Sequence, residues 1–210
     1  MCANYQPLRP EFAPQLDLFP PTFAYSSDIY PGHNSPILVN YNNHMEWREA
    51  LFGMVPSWAK DNKICRSTYN ARSETVHEKP SFKHAWQQRQ FALVPVERFY
   101  EPRYQSDPTG HKKAERWAIE RQDEQPFTIA ALYELSEQNG QLVRSMTMLT
   151  INADGHPLMQ QFHAPNDEKR SVVVIPPELR LQWLSASQKM AQEMLFELRT
   201  NDYKTYPVPR

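Results

Sequence analysis

Four residues of this chain combine side-chain type and setting in a way that could support covalent chemistry: Cys2, Asn70, Glu101 and His163. Cys2 directly follows the initiator Met1. Removal of Met1 is favoured when the next residue is small, and it would leave an amine and a thiol on adjacent carbons, a pair that no internal cysteine possesses. Taken alone, position 2 is also consistent with an accident of a frayed terminus. Asn70 lies in STYNARSET, where Asn70 and Arg72 alternate and so project to one side of an extended segment, with Ser67 and Glu74 close by. The other reading of that stretch is an ordinary polar turn. Glu101, in RFYEPRY, follows two aromatic residues and precedes Pro102, which favours extended backbone at the glutamate. A carboxyl desolvated among aromatics can both give and take a proton; a strand glutamate facing water is the alternative. His163, in QQFHAPND, stands between Phe162 and a proline-containing loop. Histidine exchanges its proton near neutral pH, although histidines so placed are commonly hydrogen-bonded structural residues.

These residues have to be held by elements, and most of the elements read as strands. PILVNY, MEWREALFGMV, FALVPV, RFYEP, RWAIE, PFTIAALYE, RSMTMLTIN and SVVVIP are strand-like runs rich in branched and aromatic residues. Helical signals are fewer: Pro80-Ser81 leads into FKHAWQQRQ, and Pro176-Pro177 leads into ELRLQWL. Residues 187–199 carry a serine cap and an apolar stripe of Met190, Met194, Leu195 and Leu198 that packs on the core. The proline-rich first thirty residues predict an extended segment wrapped over the surface, anchored by Phe and Leu side chains. Many short strands without intervening helices predict an α+β fold: a single domain over 1–210 with a curved mixed or antiparallel β-sheet, barrel-like, and a few flanking helices.

Composition excludes several function classes. A chain of 210 residues can bury a core without metals or disulfides. Five glycines against nineteen prolines, with no glycine-rich phosphate loop, leave no nucleotide cradle, and no cofactor is expected. The two cysteines lack C-x-x-C spacing, so neither a zinc site nor a disulfide is expected, and Cys65 reads as a small buried hydrophobe. No apolar run approaches the roughly 18 residues needed to span a bilayer, and no signal peptide opens the chain, so a cytoplasmic protein without membrane contact is expected. The net charge of −1 does not advertise a nucleic-acid binder. Between Trp58 and Gln90, however, seven basic residues (Lys60, Lys63, Arg66, Arg72, Lys79, Lys83, Arg89) face three acidic ones (Asp61, Glu74, Glu78). That excess is either a solvated face or a patch able to hold a few phosphates.

The order MC, FGMVPSWAKD, NARSET, PSF with a tryptophan four residues on, LVPVERFYEP, TMLTINA, FHAP and YPV resembles the SOS-response-associated peptidase family of abasic-site processing proteins. The match runs collinearly from Cys2 to Pro207. The resemblance implies that Met1 is removed autoproteolytically and that Cys2 links covalently to abasic sites in single-stranded DNA, closing a thiazolidine. It implies that Asn70 holds the cysteine and sugar, that Glu101 shuttles protons, and that His163 assists sugar opening and reversal of the link. Arg72 would contact phosphate and Trp58 would stack or wedge, with Lys79 and Arg170 completing the DNA surface of a monomer. The peptidase label points to self-processing, with a possible lyase activity beside it. Three departures stand out: CANY replaces the family's CGRF, FYEP replaces FYEW, and the arginine two residues past the histidine is absent, leaving Lys169 or Arg170 as substitutes. Two other functions fit the residues: a thiol peptidase or N-terminal-nucleophile hydrolase, and a noncatalytic single-stranded-DNA-binding module.

Overall fold

The computed structural model describes residues 2–106, 112–138 and 140–209, with backbone alone at 105, 106, 112 and 113. Met1, on whose removal the expected chemistry depends, lies outside the described residues. The strands are β1 (Asn4–Pro7), β2 (Asn34–Tyr41), β3 (His44–Phe52), β4 (Asn70–Arg72), β5 (Phe91–Ser106), β6 (Lys112–Arg121), β7 (Phe127–Gln138), β8 (Gln141–Asn152), β9 (Arg170–Val172), β10 (Val174–Ile175) and β11 (Tyr203–Pro207). Three short helices accompany them: α1 (Lys83–Gln87), α2 (Arg180–Leu184) and α3 (Gln188–Glu193).

The sheet closes on itself. β5 pairs with β2, β2 with β3, β3 with β8, β8 with β7, and β7 returns to β5, so five strands form a ring with no free edge. All of these pairs are antiparallel except β3 with β8. Strands of such a barrel are covered on both faces, which is why FALVPV reads as a continuous apolar run. Ala92, Val94 and Val96 of β5 join one buried cluster with Ile37, Ile129 and Met146, while Phe91 and Leu93 join a second with Trp86 of α1, Trp183 of α2 and Ala191 of α3. The Trp183 indole N–H donates to the Ala92 carbonyl at 2.9 Å, fixing α2 against the barrel wall.

The α+β expectation holds, and four local readings change. FALVPV and RFYEP are one 16-residue strand, whose first half pairs with β7 and whose second half leaves the barrel to pair with β6. SVVVIP breaks at Val173, whose N–H donates to Leu149 of β8 while its carbonyl accepts from Ala130 of β7, so the two halves serve different strands. Residues Pro10–Leu16 form a 3-10 turn rather than extended chain, because Ala13 and Leu16 are drawn into the core. The last helix stops at Glu193; Ser187 caps it as expected, but Met190 stays exposed while Met194 and Leu198 are buried.

Candidate active site

β1 adds to the second half of β5 with Asn4 opposite Tyr100, which carries the chain start toward Glu101. Asn4 secures this placement: its amide donates to Asp28 Oδ1 at 2.6 Å and to the Ile29 carbonyl at 3.1 Å. Arg116 of β6 donates to Asn4 Oδ1 at 2.9 Å and to Asp28 at 3.0 Å, with its guanidinium 3.5 Å from the Tyr100 ring centroid. Sequence reasoning passed over Asn4 and Arg116, since their pairing crosses 112 positions. Cys2 is consequently not frayed: it is 1% exposed, and its thiol donates to the Asn4 carbonyl at 3.6 Å. Burial, reinforced by the charge of Glu101, pushes the Cys2 thiol far above its ordinary value.

Asn70 arrives from another direction. β4 lies parallel to β8, with Asn70 opposite Met148, and this places the Asn70 amide where it donates to the Cys2 carbonyl at 3.1 Å and to the Tyr69 carbonyl at 2.7 Å. Its side-chain oxygen is buried with no hydrogen-bond partner among the described residues. The Tyr69 phenol is raised by partial burial, then by Glu101 and Cys2, which sets that ring beside the same cluster.

His163 adopts a left-handed backbone (φ 64°), a costly conformation for a residue with a Cβ, and its N–H donates to the Pro102 carbonyl at 2.9 Å. That bond brings the ring to Glu101: Nε2 lies 3.0 Å from Oε2, with side chains 5% and 2% exposed. The two lie within contact distance, and among the described residues neither ring nitrogen has a well-directed hydrogen bond. Cys2, Asn70, Glu101 and His163, spread over 161 positions of the chain, thus form one buried cluster.

The residues expected to meet DNA divide into two groups. Arg72, half-exposed, projects from β4 and pairs with Glu168 at 2.7 Å. Arg170 does not fit its expected DNA contact: it is 3% exposed and held by Glu74 and Glu168, each at 2.8 Å, and it donates to the Thr150 carbonyl at 2.7 Å. Burial alone would raise the Glu74 carboxyl, but Arg170 and main-chain donors hold it below its ordinary value. A cavity of about 330 Å³ opens beside His163, lined also by Arg72, Asn166, Asp167, Glu168 and Arg170. Trp58 and Lys79 lie elsewhere on the surface: Trp58 is 56% exposed, with its indole N–H 3.4 Å from the Pro80 carbonyl next to Lys79. All seven basic residues of the 58–90 segment are exposed. Among the described residues, no group of three His, Cys, Asp or Glu side chains is arranged to hold a metal ion, and no helix is long and apolar enough to cross a membrane.

Comparison with known proteins gives a consistent placement. The chain is 28% identical to the abasic site processing protein YobE of Bacillus subtilis over 199 residues, covering 92% of this chain and 85% of the relative. It is 27% identical to YoaM of the same organism, covering 92% and 82%. Among solved structures, a protein from Bordetella bronchiseptica superposes with a TM-score of 0.88 at 28% identity over the full length of both chains. One from Bacteroides thetaiotaomicron shares the fold, with a TM-score of 0.80 at 18% identity, covering 99% and 92%. The sequence pattern of the SOS response associated peptidase (SRAP) family matches residues 3–210, and the chain belongs to that family.

Proposed function

We propose that this protein processes abasic sites by linking Cys2 covalently to them in single-stranded DNA, once Met1 has been removed. The observation that carries the reading is the buried cluster itself: Asn70 grips the Cys2 carbonyl at 3.1 Å while the Glu101–His163 pair lies alongside. Kinship with proteins named for abasic site processing supports it. An opened abasic sugar presents an aldehyde. The α-amine of Cys2 adds to it and, with loss of water, forms an imine. The thiol then adds across the C=N bond, sulfur bonding to carbon and its proton passing to nitrogen, and a thiazolidine results.

Each neighbour has a task in this sequence. Because burial keeps the thiol protonated, it brings its own proton to the ring closure, and Glu101 can relay that proton to nitrogen. Glu101 also takes up and returns the protons exchanged as water leaves. His163, 3.0 Å from Glu101, supplies or withdraws the proton of the sugar hydroxyl during opening and reversal. The unpartnered Asn70 oxygen offers an acceptor to a sugar hydroxyl. Arg72, Lys79 and Trp58 mark the strand's path, by phosphate contact and stacking, whereas Arg170 braces the carboxylates behind Arg72.

The test returns to the terminus. Cys2→Ser retains the amine but cannot close the sulfur ring, so on a denaturing gel with abasic single strands it should give an adduct only when borohydride traps the imine. Protein with a permanent tag ahead of Cys2 has the thiol but no free α-amine, and should give little adduct in either lane. A stable, reductant-independent adduct from the tagged protein would refute the mechanism.

A further inference from the structure

We propose that Glu168 is an internal phosphate surrogate that occupies the Arg72 guanidinium in the free protein and sets how tightly undamaged single strands are held. This rests on the DNA-binding reading above and adds to it a residue that weakens binding. The Glu168 carboxylate bridges two arginines, with one oxygen 2.7 Å from Arg72 and the other 2.8 Å from Arg170, as a phosphodiester's two free oxygens would. It does so at the wall of the cavity that His163 also lines. Arg170 has a second carboxylate, Glu74, and the Thr150 carbonyl, so both of its terminal nitrogens keep a partner if Glu168 leaves. Among the described residues Arg72 pairs with no other acid, so Glu168 is what competes with DNA for its charge.

The exchange requires little motion. The chain either side of Glu168 is pinned, because Asp167 N–H donates to the Ala164 carbonyl at 3.0 Å, Lys169 N–H donates to Asp154 at 3.0 Å, and the Lys169 carbonyl accepts from Ala153 at 2.8 Å. The Glu168 side chain is 30% exposed, so a rotation about its own bonds frees Arg72 with the loop in place. An exposed pair of this kind is weak enough to be displaced by a phosphate, and strong enough to tax every encounter. A protein that links covalently to damaged sites should not linger on intact strands, and Glu168 supplies that discrimination by competing with any phosphate not also anchored at Cys2.

Binding of undamaged single-stranded oligonucleotide, measured across a salt series, tests the proposal. Glu168→Gln should tighten binding by up to about fivefold and steepen the log–log salt slope by up to about 0.7, one phosphate's worth. Glu74→Gln removes an equal charge nearby without touching Arg72 and should change affinity less than about twofold. The gain from Glu168→Gln should vanish in an Arg72→Ala background. If the glutamine variant does not fold, Glu168→Asp keeps a carboxylate near Arg170 but is a methylene short of Arg72, and should still tighten binding. Unchanged or weaker binding by Glu168→Gln, an equal gain from Glu74→Gln, or a gain that survives Arg72→Ala would overturn the proposal. Adduct formation by the wild type on an abasic strand is scored separately: adducts without the affinity gain defeat only the Glu168 inference, and the gain without adducts defeats only the covalent mechanism.

Discussion

At the residue scale, Glu101 carries the most chemistry for its size. It is buried beside a histidine and within electrostatic reach of the Cys2 thiol, and the mechanism proposed above has it pass protons between nucleophile and sugar. Glu101→Gln keeps the shape and loses that capacity. Adduct formation in single turnover should slow by on the order of 10²–10⁴, with equilibrium affinity for the strand nearly unchanged; an unchanged rate would remove Glu101 from the site. The sequence made Glu101, Asn70 and His163 legible because each is a polar side chain set among residues that otherwise pack. It could not reveal that Arg170 is buried, because the carboxylates that neutralise it stand 2 and 96 positions away, and only the fold decides whether a basic residue meets solvent or an acid.

At the element scale, the site depends on β4, a strand of three residues that the sequence offered as either an extended segment or a polar turn and that delivers Asn70 to Cys2. The segment leading to it is locked by Gly53 after β3. Gly53 has φ 111°, and a Cβ there would overlap the Cys65 backbone. Gly140, in the β7–β8 turn, also has positive φ (77°) but nothing within 4 Å of a Cβ. The pair separates backbone strain from steric exclusion. Gly140→Ala should cost about 1 kcal/mol and Gly53→Ala roughly 2–4 kcal/mol, read from urea unfolding midpoints, with the larger loss accompanied by slower adduct formation as β4 shifts. Equal costs would show that the Cys65 contact yields easily.

At the scale of the whole molecule, several weak acids are wholly or partly buried in their neutral form. Burial raises the Cys2 thiol above 9.0 and the Tyr5 phenol well above 10.0, and it pushes Tyr25, whose hydroxyl donates to the Leu8 carbonyl, up to about 12. Folded values above unfolded ones mean that the native state binds more protons once the unfolded chain begins to titrate. This contribution to stability is therefore complete below about pH 9 and is lost as the pH rises through 10 toward 12. Melting temperature should be flat from pH 7 to 8.5 and fall steadily above 9.5, and a flat profile to pH 11 would mean these groups titrate freely in the folded protein. The amino-acid order by itself determined the fold class and the barrel strands and marked the four residues of the cluster as candidates, since strand periodicity and isolated polar side chains are local signals. Tertiary structure alone decided the closure of β7 onto β5, the anchoring of Cys2 by Asn4 and Arg116, and the division of labour between Arg72 and Arg170. Those are pairings between residues far apart in the chain, and their energies exist only once the barrel has brought both partners together.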